Sequence, residues 1–453
     1  MMRPDLTHGS YSAQRADTDA VDVARSMLRL MLDGRTDKIG VELADGSMLY
    51  APDGATRAVV VAKDLGALRS LILGADSTAA ARRIVEGDLD VRGDVEHAIA
   101  QFERLSDGMR ARDAAKIAAM ALRLPRSHGE HAEQRARHAY HAHGRKHSID
   151  RDKAAIAYHY DVSNEFYELW LDRELVYSCA YFKDGVQSLD DAQLAKLDHI
   201  CRKLRLQAGE SLIDVGCGWG SLVRFAAREY GAKAVGITLS RRQAEYARRR
   251  IEAEGLADRC AVELLDYREL GKLGPFDKAA SVGMVEHVGV GMLPVYFSAV
   301  HDALAPGGLF LNHGITSQRT RPSGLAALIE RFAPKRSTFI ERYVFPDGDL
   351  PRIDQITIAA EGAGFEVRDV ENLREHYATT LRHWVRRLEA NEARARAAVG
   401  DETYNVWRFY ISGSAHGFSV GRMGLGQTLL AKRLPDGTVR MPPTRDDLYR
   451  RES

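Results

Sequence analysis

Residues Leu212 to Leu222 read Leu-Ile-Asp-Val-Gly-Cys-Gly-Trp-Gly-Ser-Leu: an apolar run, three glycines at alternate positions, then residues that suit a helix. No other stretch restricts the fold as much. Leu212 to Val215 suits a buried strand, and the glycines allow the backbone a tight turn and a close approach to a ligand. A strand, a glycine turn and a helix form the first half of a βαβ unit, whose ligands sit at the carboxyl edge of the sheet. Further short apolar strands are expected at Ser211–Val215, Lys233–Thr238, Cys260–Leu265, Lys278–Val282 and Gly308–Gly314, alternating with helical stretches. The expected fold class is therefore α/β, a doubly wound Rossmann-like domain from about Ser148 onward.

Two nucleotide-type cofactors compete for this turn. A dinucleotide fingerprint would need glycine where Ser221 stands, and an acid about 20 residues on, where the chain reads Gly236-Ile237-Thr238. NAD is disfavoured on both counts. Asp214 at the strand end, followed by Gly216, Gly218 and Gly220, matches instead the site of S-adenosylmethionine-dependent methyltransferases. The third strand ends at Leu264-Leu265-Asp266-Tyr267, which puts Asp266 at the same edge, where it could accept a hydrogen bond from an adenine amino group or simply be a surface acid.

Five further segments carry a more specific resemblance. They are Tyr158–Asn164, Leu175–Phe182, Gly216–Gly220, Ser281–Gly289 and His376–Leu381, in that order along roughly residues 150 to 430. In these the chain resembles the cyclopropane fatty-acyl-phospholipid synthases and the related mycolic acid cyclopropane synthases. The resemblance implies methyl transfer from S-adenosylmethionine to the cis double bond of an unsaturated phospholipid acyl chain, giving a cyclopropane. It implies cofactor contacts from Tyr177, Ser178, Gly216, Gly218, Thr238, Gln243, Asp266 and Val282. It further implies a bound bicarbonate held by Cys179, Glu286, His313, the backbone at Ile315, and Tyr377, with Cys179, Glu286, His313 and Tyr377 as the catalytic set.

These residue types suit the chemistry. An alkene has no proton to lose before it attacks a sulfonium methyl, so positive charge develops on the neighbouring carbon and must be kept from water and then removed. Aromatic faces attract such a cation, and Tyr158, Tyr160, Phe166, Tyr167, Trp170, Tyr177, Tyr181, Phe182 and Tyr377 flank the matching motifs. Most of these rings are expected to pack the core. Neutral Cys179 and Tyr377 and a suitably protonated His313 can donate to an anionic base, while Glu286 accepts the base's hydroxyl hydrogen. Cys179 is assigned a donor role, since a nucleophilic thiolate would methylate itself. His287 is left to structure.

The same resemblance leaves a rival open: a same-pocket enzyme whose product is a methyl-branched or methylene acyl chain. The four catalytic residues favour ring closure, because the base is what ring closure requires. A rival of another class is a non-catalytic lipid-binding protein.

The rest of the chain divides by pattern. Residues 1–20 read as a polar N-terminal tail, 21–108 as a small α+β domain with a lipid-binding resemblance at Glu86–Asp94, 109–147 as a basic helix and a His-rich linker, and 148–453 as the methyltransferase catalytic domain. In the small domain a helix over Val21–Leu32 precedes a hairpin, Ile39–Leu43 with Met48–Tyr50, turning at Asp45-Gly46. A strand at Ala58–Val61 and helices ending near Gly74, over Thr78–Val85 and over Glu96–Leu105 follow, and Gly87–Asp94 reads as an acidic turn. The helix over Met109–Leu124 sets Arg110, Arg112, Lys116 and Arg123 against Ile117, Met120 and Leu124. It reads as a helix packed between domains, with an interfacial helix as the alternative.

Six histidines between Pro125 and His147 lack the carboxylate or cysteine partners of a metal site, so no metal is expected. Arg319, Arg321, Arg331, Lys335 and Arg336 lie among Leu325, Leu328, Ile329 and Phe332 in the 317–342 segment, a candidate acyl-chain entrance or bilayer contact, with a lid or a subunit contact as the alternative.

Lys and Arg total 64 against 63 Asp and Glu, so global charge argues against a nucleic-acid partner. The four cysteines show no disulfide framework, and no apolar run is long enough to span a bilayer. The expected place is cytoplasmic, peripheral on the inner face of the membrane, with membrane phospholipid as partner and a homodimer possible in principle.

Overall fold

The computed structural model describes residues 8–32, 37–50, 56–73, 82–107, 109–126, 148–149, 151–152, 163–183, 188–318, 343–345 and 348–449. The segments 127–147 and 319–342, which hold the His-rich linker and the basic-apolar segment, lie outside them, as do Tyr158 and Tyr160. Two compact units emerge: Met1–Ala139 with Pro334–Val344 and Gly400–His416, and Tyr140–Ala333 with Phe345–Val399 and Gly417–Ser453.

The first unit is a four-stranded sheet in the order β2-β1-β3-β4, with β1 Ile39–Glu42, β2 Met48–Tyr50, β3 Ala58–Ala62 and β4 Leu89–Gly93. The hairpin turns where expected, with Asp45 accepting hydrogen bonds from the backbone and hydroxyl of Ser47. Helices α1 (His8–Leu32), α2 (Leu65–Leu73), α3 (Val95–Asp107) and α4 (Ala111–Ala121) belong to the same unit.

Three expectations need correction here. Residues 8–20 are not a tail but the start of α1, since Ala13, Ala16 and Ala20 favour a helix that a charge count does not reveal. The acidic stretch 87–94 is not only a turn, because Leu89 and Val91 alternate inward while Asp90 and Arg92 face out, which is the period of a strand. Nor does the domain stop at 108: Ile117, Ala121 and Leu124 of the basic amphipathic segment are buried in the same core as Leu28 and Val41. Its Arg110, Arg112, Lys116 and Arg123 are exposed.

The second unit carries a seven-stranded sheet in the order β7-β6-β5-β8-β9-β11-β10. Its strands are β5 Ser211–Val215, β6 Lys233–Thr238, β7 Cys260–Leu264, β8 Phe276–Val282, β9 Leu304–Ser317, β10 Phe365–Asn372 and β11 Met423–Lys432. β5 through β9 pair in parallel, and β11 pairs antiparallel with both β9 and β10. All five expected strands are present, two of them longer than read, and β10 and β11 are additional. Helices α5 (Leu189–Lys203), α6 (Ser221–Tyr230), α7 (Arg241–Ala253), α8 (Leu293–Ala303), α9 (Ile353–Gly362) and α10 (Arg374–Ala390) accompany the sheet. Two apolar clusters bury its faces, one containing Leu212, Val223 and Ile251 and the other Ile213, Phe297 and Phe310. Adjacent Leu212 and Ile213 fall in different clusters, as successive residues of a strand covered on both faces must.

Helix α11 (Glu392–Ser419) breaks at Gly400, where φ is 80° and ψ 165°. Its residues 400–416 belong to the first unit, so 148–453 is not one continuous domain. Arg408 donates to Asp90 at 3.3 Å, His416 pairs with Glu103 at 2.7 Å, and Phe409 is buried in the first unit's core. Among the described residues no helix is long and apolar enough to cross a membrane.

Candidate active site

The parallel strands β5, β6 and β8 end at one edge of the sheet, and a cleft partly open to solvent lies there. Tyr177, Ser178, Asp214, Gly216, Gly218, Thr238, Gln243 and Val282 all line it. Gly218 has φ 54°, and a Cβ built on it would meet nothing within 4 Å, so its bare backbone faces free space. That is the close approach for which the glycine turn was read.

Each wall is built by local chemistry. At the end of β6, Thr238 Oγ1 accepts from the backbone of Ser240 and donates to Gln243 Oε1 at 2.8 Å, while Ser240 caps α7. Gln243 is thereby turned inward and buried at the cleft, where the resemblance implies a cofactor contact. Asp266 differs from expectation. It is buried, but its carboxylate accepts from Arg268 N–H at 2.9 Å and pairs with the Arg268 guanidinium at 3.2 Å, and its neighbours Leu265 and Tyr267 line the cleft instead. Asp266 starts a 3-10 turn, and a capping carboxylate is drawn to the free N–H groups there.

Asp214 is buried, with Oδ1 left without a partner, and burial pushes its carboxyl up to about 7. Lys196 of α5, which the sequence reading passed over, also lines the cleft and is 2% exposed. Its Nζ donates to Ser178 Oγ at 3.0 Å, and burial pulls its pKa down to about 8. Gln193, one turn earlier on α5, donates to Ser178 O at 2.9 Å. Nothing in the helical spacing of Gln193 and Lys196 marks them as inward-facing; only the packing of α5 does.

His287 also lines the cleft, beside Phe345 at 5.4 Å between ring centroids, and burial lowers its pKa to about 4.

The second group of residues lies just beyond. Cys179 follows Ser178, and its buried thiol donates to Ala180 O at 3.2 Å and more distantly to Leu373 O. Burial pushes the thiol far up, so it stays protonated. Leu373 O also accepts from Tyr377 N–H, and Ala180 N–H donates to Thr380 Oγ1, so the start of α10 holds the Cys179 segment and places Tyr377 beside it.

Glu286 sits in a short helical turn, Val285–Val288, after β8. Its Oε1 accepts from Ile315 N–H at 2.7 Å, its Oε2 is buried with no partner, and burial pushes its carboxyl up to about 7. The backbone of Ile315 thus engages Glu286 directly. His313 on β9 is 1% exposed and pairs across the ladder with Gln427 of β11. Gln427 Nε2 faces His313 Nδ1 at 3.1 Å, and His313 Nε2 has no partner. With the Gln427 amide nitrogen donating to Nδ1, the ring hydrogen would sit on Nε2. Burial holds this imidazole neutral.

Phe166, Tyr167 and Trp170 are fully buried, as expected of core rings. Tyr177 lies 5.6 Å from Trp170 and 5.2 Å from Trp384, and Trp384 in turn lies 6.0 Å from Tyr377, so one aromatic cluster joins the cofactor edge to the second group.

Residues 147–428 match the family model described as mycolic acid cyclopropane synthetase. A "Probable fatty acid methyltransferase" of Pseudomonas putida is 45% identical over 81% of this chain and 85% of its own length. Cyclopropane mycolic acid synthase 1 of Mycobacterium tuberculosis is 36% identical over 60% of this chain and 95% of its own. The solved structure of mycolic acid cyclopropane synthase CmaA1 complexed with SAH and CTAB shares 34% identity and a TM-score of 0.57, covering 62% of this chain and 98% of that one. The Rossmann-like sheet, the glycine turn and these matches agree, and the chain belongs to the mycolic acid cyclopropane synthetase family of S-adenosylmethionine-dependent methyltransferases acting on lipid.

Proposed function

We propose that this enzyme methylates the cis double bond of an unsaturated acyl chain within a phospholipid and closes a cyclopropane ring, with bicarbonate as the base. The observation that supports it most directly is the pair of buried polar atoms without partners, Glu286 Oε2 and His313 Nε2, tied together through the β9 backbone. Buried groups left in this state call for a polar ligand. When bound, S-adenosylmethionine supplies an electrophilic methyl group and bicarbonate an oxygen base.

The residues fit both. The bare Gly218 backbone, the Thr238–Gln243 pair and Asp214 form a polar cradle for a nucleoside with an amino-acid end. For the anion, His313 presents an Nε2–H and Glu286 presents Oε2 as acceptor for a hydroxyl hydrogen. Cys179, kept neutral, serves as a donor, and Tyr377 supplies a fourth polar group from α10. Glu286 relays the proton outward, and a carboxyl with a pKa about 7 is suited to that task. Tyr177, Trp384 and Tyr377 offer aromatic faces to the electron-deficient carbon.

Access to such a chain requires contact with a bilayer, which we place on the cytoplasmic face. The exposed Arg110, Arg112, Lys116 and Arg123 around α4, with Leu122 60% exposed beside them, support that contact.

A second reading, methyl-branched or methylene product, draws support from the Pseudomonas putida relative named a fatty acid methyltransferase. One experiment separates the readings. The protein is incubated with isotope-labelled S-adenosylmethionine and vesicles of unsaturated phospholipid, and the acyl products are examined by mass spectrometry and NMR. A gain of one methylene with ring protons supports the cyclopropane. An exomethylene or branch supports the second reading, and no gain supports a lipid-binding protein.

A further inference from the structure

A lysine on a helix ordinarily reaches solvent, but Lys196 is 2% exposed and its ammonium faces the cofactor cleft. Its hydrogen-bond acceptor is Ser178 Oγ, and among the described residues no carboxylate forms an ion pair with it. Asp172 attracts it from a distance, yet that carboxylate is committed to the backbone N–H groups of Glu174 and Val176 at 3.0 and 2.8 Å. Asp214 also attracts it, and Asp214 Oδ1, in the same cleft, is itself buried and unpartnered.

The cleft therefore holds a cation and an anion that do not neutralise each other by contact. Burying either charge without a close counter-charge is unfavourable, so a ligand that meets both is favoured at this edge of the cleft. The complement is a group with both charges, an ammonium for Asp214 and a carboxylate for Lys196. An α-amino acid end has this form. Ser178 adds a hydroxyl that can donate to the carboxylate while it accepts from Lys196 Nζ.

We propose that Lys196, with Ser178, binds the carboxylate of the amino-acid end of S-adenosylmethionine while Asp214 binds its ammonium group. The proposal rests on the S-adenosylmethionine reading of the cleft. It makes Lys196 a specificity-determining residue: adenosyl compounds that keep the sulfur and the amine but lack the carboxylate are rejected here. Thr238 and Gln243, on another strand and helix, serve the nucleoside.

The test is calorimetric titration of the full chain with S-adenosylhomocysteine and with decarboxylated S-adenosylhomocysteine, for the native protein and for Lys196→Met. A charge-assisted hydrogen bond is worth enough that the native protein should prefer the carboxylated ligand by about 10- to 100-fold. Lys196→Met should lose that preference, through weaker binding of S-adenosylhomocysteine, while the decarboxylated amine binds as well or better because a repelling cation is gone. Equal affinity of the native protein for the two ligands overturns the proposal without any variant, so a poorly folding Lys196→Met does not shield it. Parallel weakening of both ligands in Lys196→Met also overturns it. Binding of neither ligand by the native protein would remove the cofactor reading itself and the proposal with it.

Discussion

The backbone N–H of Ile315 donates to Glu286 Oε1 over 2.7 Å, and the other oxygen of the same carboxylate is buried without a partner. One contact therefore both orients Glu286 and reserves its second oxygen. The approach is possible because Gly314 precedes Ile315: a Cβ there would lie 2.2 Å from Val285 Cγ1.

Gly314→Ala should therefore push the Val285–Val288 turn away from β9. The expected outcome is a loss of stability of about 1–3 kcal/mol, as for overpacked cores, and at least a tenfold fall in turnover. S-adenosylhomocysteine affinity should stay within about threefold, because Gly314 is not part of the cofactor cleft. Denaturant titration and calorimetry check both halves.

Activity should depend on the charge of Glu286. Burial pushes its carboxyl up to about 7, and only the ionised form would accept a hydrogen from the proposed base. The ratio kcat/KM should rise with pH and level off above about 7, with a slope of one proton. Glu286→Gln should abolish that limb and lower the rate by about 100-fold or more.

The stability of the same pair has the opposite dependence. A carboxyl whose folded-state pKa is raised from 4.5 to about 7 contributes its full stability below 4.5 and loses it as pH rises through 7. Glu286→Gln keeps the acceptor for Ile315 N–H and carries no charge. It should match the native protein near pH 4.5 and exceed it above about pH 7, by up to about 3 kcal/mol on the conversion of 1.4 kcal/mol per pKa unit. Equal stability of the two proteins at both ends would refute the burial argument.

All four cysteines, Cys179, Cys201, Cys217 and Cys260, are free and buried, and burial raises every one of their pKa values. Thiolate is the reactive form, so a thiol reagent at about pH 8 should label the native chain slowly and the denatured chain at four sites quickly. Rapid native labelling of Cys179 would contradict its proposed role as a neutral donor.

Gln427 should matter through His313. Gln427→Leu removes the amide that fixes Nδ1 and frees the imidazole to change tautomer. If bicarbonate is the base, as proposed, its apparent KM should rise by about 10-fold or more, by analogy with the loss of an orienting partner at a metal-bound histidine. Excess bicarbonate should restore most of the rate, which would not follow if the variant merely unfolded.

The sequence was legible wherever chemistry is local. A strand such as Leu212–Val215 is written in adjacent apolar residues, and the glycine turn in residues that alone tolerate its backbone, so β5 begins and ends where it was read. Thr238 and Gln243 were found as separate residues, but the bond between them follows from the cap that Ser240 puts on α7. Asp266 shows the limit: its carboxylate was foreseen at the sheet edge, but the competing N–H of Arg268 and the guanidinium beside it were not.

What the sequence by itself determined was the five parallel strands and their ligand edge, because each depends on short-range periodicity or on a contiguous motif, whereas Cys179, Glu286, His313 and Tyr377 are singled out only through the family resemblance. Tertiary structure alone decided that Lys196 turns inward, that Gln427 stands opposite His313, and that residues 400–416 join the first unit. These depend on which helix face the sheet buries, on the register of β9 with β11, and on the break at Gly400. Each brings together groups distant along the chain, where burial removes water and sets the charge each group can carry.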